Sequence, residues 1–283
     1  MEVGLRYLVE KGFPPENEYI SKAITSFLSK EPFDYNAYRI KEPKLPNTDY
    51  SYTAIGLYLY RSSVIIRAGY ETLLPKNDFI DLKHDIDFSF ATFTNVLNFA
   101  RAEDAVESHR KKPCFKQDVL WPCIYHLRIL AHSQGWRNKE KIPLLCESVN
   151  HLSALSHSGD DVYTYKKGQY ISPCWAFIFM PILGGSIKDE VVSSSWFDIM
   201  ELYARCGVVK QVVALINEYE ALLALVDNDL TLNFGFNKTK NEFLWSPYHG
   251  IALEENWKTK HKLQCDLLFR ILIIIHYAES YEY

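Results

Sequence analysis

An all-α chain, one domain of stacked helical hairpins over residues 1–283, is the expectation from three features. Apolar residues recur at helical spacing through most of the sequence, strand signals are few, and two buried-looking segments share a short pattern. That pattern is C-x4-R-I-L, found at Cys123 to Leu130 and again at Cys265 to Leu272. A second echo joins Ser172-Pro173-Cys174-Trp175 to Ser246-Pro247-Tyr248-His249. Neither is a fixed-period repeat, but together they favour related helical hairpins stacked on one another.

The elements follow in order. Residues 4–11 and 18–30 read as two helices broken at Pro14-Pro15. The Pro-, Asn- and Asp-rich stretch 31–49 reads as a loop, either a lid or an irregular connection. Residues 50–70 are apolar again, with Gly56 and the β-branched run Val64, Ile65 and Ile66 weakening the helical signal. Residues 78–102 are stronger, with Phe79, Leu82, Ile86, Phe90, Phe93 and Val96 or Leu97 at helical spacing, and a break at 111–114 follows. Further helices are expected at 139–156, 195–206, 208–226 and 258–278, the last apolar on nearly every face. Residues 163–186 and 227–249 are irregular and aromatic, the first with room for a short strand.

The stretch Gln117 to Trp136 organises the rest and reads as one helix. At about 100° per residue, Leu120, Ile124, Leu127 and Ala131 form a core stripe. Trp121, Tyr125, Arg128 and His132 form a second stripe about a quarter turn away, and Val119, Cys123, His126 and Leu130 lie opposite. Almost no face is left for water, so this helix is either surrounded by protein or borders an enclosed cavity.

Composition bounds the partners. The chain is 48% hydrophobic, 14% aromatic and only 23% charged, which describes a globular protein with a sizeable core. Net charge is −4 with no concentrated Lys/Arg stripe, so nucleic acid is not an expected partner. The longest apolar run, around Ile271 to Ile275, is far below the roughly 20 residues of a membrane-spanning helix. The first residues, MEVGLRYLVEKGF, lack the features of a secretory signal. The six cysteines contain no CxxC pair, so reduced thiols in a cytoplasmic protein are expected, with neither a zinc ribbon nor a disulfide framework. No G-x-S-x-G, Walker loop, H-E-x-x-H or G-x-G-x-x-G occurs, which disfavours serine hydrolases, P-loop NTPases, zincins and Rossmann dehydrogenases. No particular cofactor is indicated.

The alternation of helix pairs, with GLRYLVEK, WPCIYHLRIL, WFDIMELYARCG and CDLLFRILIIIHYAE, resembles the α/α-toroid group of bacterial proteins related to prenyltransferases and terpenoid cyclases. The resemblance implies a ring, or partial ring, of paired helices around a central aromatic cavity that takes an isoprenoid. Two motifs depart from it. Asp85-Ile86-Asp87-Phe88 lacks the last carboxylate of the D-x-D-D acid motif. Gln169 to Trp175 has the spacing of Q-x3-G-x-W but carries Pro173 in place of glycine. The zinc ligands of protein prenyltransferases have no counterparts that can be placed, so no metal ligands are assigned.

Several constellations could carry chemistry. His84 and Asp87 share a helix face at i, i+3 and, with Asp85, could bind a divalent ion or substrate or do acid–base work; a solvated helix turn with an ion pair is the alternative. On the central stretch, Asp118, Trp121, Tyr125, Arg128 and His132 are the best candidate cavity lining. The aromatic rings would exclude water and Arg128 would grip an anionic group, with Tyr125, His132 and Asp87 as the candidate catalytic groups. Ordinary packing, with a buried Arg satisfied by a carboxylate, is the competing account of Tyr125 and Arg128 and the favoured one of Trp121, and His126 reads as a satisfied core histidine. Trp245, Tyr248 and His249 could close a cavity mouth or simply pack, and His157, Asp160 and Asp161 form a polar turn that suits a metal site as well. Asp266 and Arg270, at i, i+4, are expected to pair with each other in a buried helix. Two functions remain open. One is an enzyme, or a relative of one, acting on an isoprenoid or carbohydrate-like small molecule. The other is a noncatalytic ligand-binding or protein-interaction scaffold that kept the fold and lost the acid motif.

Overall fold

A computed structural model describes residues 2–28, 52–72, 81–116, 119–155, 162–166, 169–171, 187, 194–226, 253–254 and 258–281. The described chain is mostly helical, and its strands form two short antiparallel hairpins. It divides into two compact units, Met1–Arg137 with Leu155–Phe179 and Asn138–Ala154 with Met180–Tyr283. None of the described helices is long and apolar enough to cross a membrane.

The first unit opens with α1 (Glu2–Glu10) and α2 (Glu18–Leu28), which bury Leu5, Ile20 and Ile24. Asn17 starts α2 by accepting the Tyr19 N–H at 3.0 Å. Helix α3 (Tyr52–Arg67) follows and ends at Gly69, whose φ of +84 closes the last turn. There the Gly69 N–H reaches Ile66 O and the Tyr70 N–H reaches Ile65 O, the double bond of a Schellman ending. A Cβ at Gly69 would also stand 2.5 Å from Pro15 Cγ, so the α1–α2 connection and the end of α3 meet where only glycine fits.

Helix α4 (Leu82–Asn95) is capped by Asp81, whose carboxylate accepts the His84 N–H at 2.9 Å. Its stripe of Leu82, Ile86, Phe90 and Phe93, continued by Val96, is buried as the spacing predicts; Phe79 lies outside the described residues. The chain then forms β1 (Val106–His109) and β2 (Lys112–Phe115), where the sequence suggested only a break. Arg110 and Lys111 make the two-residue turn with φ of 47 and 68, a conformation normally supplied by Asn-Gly or Asp-Gly. Strand β3 (Thr164–Lys166) pairs with β4 (Gln169–Ile171), within the stretch given room for a strand.

The central helix is shorter than its apolar pattern. Helix α5 spans Ile124–His132 only, while Val119 to Cys123 run outside it and residues 117 and 118 lie outside the described set. Pro122 is the physical reason: it disfavours the helical region for Trp121 and cannot donate within a helix. Cys123 is the extended N-cap, and its N–H is taken by His126 Nδ1 at 3.0 Å. Within those limits α5 is enclosed, packing on both α3 and α4, with Ile124, Leu127 and Ala131 buried. Past its end, the Glu71 carboxylate accepts Ser133 Oγ–H, Gln134 N–H and Gly135 N–H at 2.7 to 2.9 Å, tying the end of α3 to the end of α5.

The second unit contains α6 (Lys141–Leu155, whose last residue falls in the first unit), α7 (Ser194–Cys206), α8 (Val213–Leu223) and α9 (Lys260–Glu279). Asn138 Oδ1 caps α6 through the Lys141 N–H at 2.7 Å, and Thr259 caps α9. Helices α7 and α9 pack against each other over Trp196, Met200, Tyr203, Leu267, Ile271 and Ile274. The pairing expected between Asp266 and Arg270 is replaced by others. Asp266 accepts the Leu253 N–H at 2.9 Å, and Arg270 reaches Glu201 Oε2 on α7 at 3.6 Å. Cys114, Cys123, Cys146 and Cys206 are buried free thiols and Cys265 is partly exposed; Cys174 lies outside the described residues.

Candidate functional site

In the first unit α1, α3 and α5 enclose a cavity of about 20 Å³. Leu5, Arg6 and Val9 come from α1, Ser63, Val64 and Arg67 from α3, and Arg128 and His132 from α5. Helical spacing explains each set. Arg6 and Val9 are three apart, Ser63 and Arg67 four apart, and Arg128 and His132 four apart, so each helix presents one face. Arg6 and Arg128 are buried, while Val9, Arg67 and His132 are partly exposed and form the edge open to solvent.

The charges are organised around one carboxylate oxygen. Glu10 Oε1 accepts Arg6 Nε–H at 2.7 Å and an Arg67 Nη2 hydrogen at 2.5 Å. Beside them, the Arg128 guanidinium lies 5.5 Å from the centre of the Tyr125 ring, within cation–π range. Tyr125 meets Tyr60 edge to face at 5.8 Å, and neither ring lines the cavity. Of the second stripe, Arg128 and His132 therefore reach the cavity, while Tyr125, expected to line it, packs against Arg128 outside it. A cavity of about 20 Å³ is the size of one water, not of a prenyl chain or a sugar ring.

The other candidates lie elsewhere. Trp121 is buried in an aromatic cluster with Phe99 and Phe115, at 5.6 and 6.4 Å between ring centres. Asp85, His84 and Asp87 stand on α4 and none of them lines the cavity. Asp85 Oδ2 accepts Ser62 Oγ–H at 2.5 Å and its Oδ1 lies 3.4 Å from His84 Nδ1; His84 stacks on Phe88, and Asp87 is exposed. Burial raises the Asp85 pKa above the usual carboxylate value, against the opposing pull of its bonds to Ser62 and His84. Asp118, Trp245, Tyr248 and His249 lie outside the described residues, as do His157, Asp160 and Asp161.

His126 is a core group. It is fully buried, its pKa is pushed down to about 3 by desolvation, and the bond it accepts from Cys123 N–H fixes Nδ1 as the unprotonated nitrogen. Among the described residues no three His, Cys, Asp or Glu side chains gather as metal ligands would.

Sequence reasoning missed Arg6, Glu10, Ser63 and Arg67. A signal was present for two of them: Arg6 and Glu10 are an i, i+4 ion pair flanked by Leu5 and Val9, which places a charge on the buried edge of an amphipathic helix. Arg67 and Ser63 carried none, because only the packing of α3 on α1 and α5 brings them to the site. Comparison of the chain with protein-family models, with curated proteins and with solved structures finds no match.

Proposed function

We propose that the protein binds a small molecule at the α1–α3–α5 face of its first unit, with Arg128 and His132 as polar contacts and Tyr125 holding Arg128 from outside the cavity. The observation that carries this reading is that Arg6, Arg67, Arg128 and His132 all line one small cavity. Arginines are costly to bury, and a cluster opening onto space is better suited to holding an anionic group than to stabilising a core. Substrates of the isoprenoid or carbohydrate-like class suit the α/α-toroid arrangement that the sequence resembles, with one polar atom of the ligand at the cavity and the rest of it outside.

A noncatalytic binding role is the second reading. It is favoured by Asp85, which is turned toward Ser62 and outside the cavity lining, so the remnant of the acid motif does not face the site.

A thermal-shift series with prenyl diphosphates and oligosaccharides, on the wild type and on Arg128→Ala, tests the reading. A ligand that binds only the folded state adds about 2.7 kcal/mol at a hundredfold excess over its dissociation constant. One ligand class is expected to raise the melting temperature of the wild type and to lose that effect in Arg128→Ala. Equal shifts in both proteins, or none with any ligand, contradict a site at Arg128.

A further inference from the structure

We infer that the β1–β2 turn is a docking site for a short acidic peptide segment of a partner protein, held by Arg110, Lys111 and Lys112. This surface is separate from the α1–α3–α5 cavity and does not depend on it.

Three observations meet at the turn. The first is its backbone. Arg110 and Lys111 sit at φ of 47 and 68, where a side chain crowds the neighbouring carbonyl and where Asn-Gly would be at ease. A turn that only joined two strands would have no use for this pair, so the strain points to a task for the two side chains. The second is unmatched charge. Arg110, Lys111 and Lys112 are exposed, and among the described residues no carboxylate pairs with any of them. Arg6, Arg67 and Arg101 of the same unit each have one. The third is a rigid base. The Tyr170 hydroxyl donates to His109 O at 3.1 Å, and the His109 ring stacks on Tyr165 at 3.5 Å. Lys112 Nζ lies 5.1 Å from the centre of the Tyr163 ring and 4.8 Å from that of Tyr170, so ring faces hold its ammonium. A cation placed before binding loses less freedom when a ligand arrives.

Sign and size select the occupant. Three cations on consecutive residues match two or three carboxylates, with Arg110 able to take one as a bidentate pair. The exposed Glu107 of β1 bounds the positive patch. A membrane-binding segment gathers about 4–8 basic residues, and a nucleic-acid surface makes about 6–10 phosphate contacts, more than this turn offers. A short run of Asp or Glu is what fits.

The test is fluorescence anisotropy of a dye-labelled Gly-Glu-Glu-Glu-Gly peptide titrated with the full chain at low salt, beside the Gly-Gln-Gln-Gln-Gly peptide, an oligothymidylate and phosphatidylserine vesicles. The wild type is expected to bind the glutamate peptide at least about tenfold more tightly than the glutamine one, the scale of one charge-assisted hydrogen bond. Arg110→Asn combined with Lys111→Gly is expected to weaken that binding by about tenfold or more while raising the melting temperature by about 2 °C, because it relieves the turn as it removes the charges. Arg110→Gln combined with Lys111→Gln leaves the turn unrelieved, and is expected to weaken binding as far without the full gain in melting temperature. Equal binding of the two peptides, no binding of either, or binding unchanged in the double variants overturns the inference. An Asn-Gly variant that melts no higher than the wild type overturns the strain argument on which it rests. Binding of the oligothymidylate or the vesicles without the glutamate peptide overturns the choice of occupant.

Discussion

Both units bury arginines around one glutamate, and they differ in what adjoins the cluster. In the second unit, Glu201 on α7 lies between Arg205, at 2.8 Å, and Arg270 of α9, at 3.6 Å. The ring of Tyr277 covers the Arg205 guanidinium at 4.0 Å, and Asp198 and Asp266 are buried on the same two helices. Acid and base are interleaved there, and the cluster closes on itself. In the first unit Glu10 likewise lies between Arg6, at 2.7 Å, and Arg67, at 2.5 Å, and those two arginines line a small cavity together with Arg128. The difference is the adjoining space, and it teaches that a buried arginine beside its carboxylate does not by itself mark a site.

Removing the central carboxylate from each cluster sharpens that contrast. Glu201→Ala leaves Arg205 and Arg270 without it in a closed interior, and is expected to cost about 3–5 kcal/mol in denaturant unfolding. A cost below about 1 kcal/mol would break the comparison, because such pairs contribute that little only when exposed.

His126 belongs to the first unit but not to its site, and its expected effect is next in size. Its folded-state pKa of about 3 lies below the ordinary 6.5. As pH falls from 6.5 toward 3, the unfolded chain takes up a proton that the folded chain refuses, so stability falls by up to roughly 1.4 kcal/mol per pH unit. Above pH 6.5 this contribution is fully present and flat. His126→Gln retains an acceptor for the Cys123 N–H and should flatten that acid limb. An unchanged acid limb would contradict the burial argument.

Glu10→Gln is expected to cost about 1 kcal/mol, less than Glu201→Ala, because its amide oxygen still accepts from the arginines that Glu10 serves. A cost equal to that of Glu201→Ala in the same denaturant titration would erase the distinction.

The smallest effect is expected at Asp85. With its folded pKa raised by burial, ionising it costs stability as pH climbs above the unfolded value of 3.8. Asp85→Asn should therefore melt slightly higher than the wild type at neutral pH and match it in acid. A variant that melts lower at neutral pH would show that the bond from Ser62 to the charged form outweighs desolvation.

What was legible in the sequence follows from what is local. The stripe Leu82, Ile86, Phe90 and Phe93 announced α4, because periodicity records which face is buried. The same reasoning overextended α5, since the apolar pattern runs on through Trp121 while Pro122 stops the helix. The β1–β2 hairpin was hidden because Arg110 and Lys111 occupy a turn whose usual residues they are not. At the site, Arg128 and His132 were visible on one helix stripe, whose Tyr125 and Trp121 lie outside the cavity lining. Arg67 and Ser63 were not, because their meeting with Arg6 depends on how three helices pack, which no spacing within one helix encodes.

The measurement that tests the central claim most directly is NMR of the arginine side chains in uniformly nitrogen-15-labelled protein, titrated with prenyl diphosphates and, separately, with oligosaccharides at constant ionic strength. The Nε–H signals of Arg6, Arg67 and Arg128 are expected to shift together, with one dissociation constant, while those of Arg205 and Arg270 stay fixed. Uniform small shifts across all five, or movement in the second unit alone, would contradict a ligand site in the first unit.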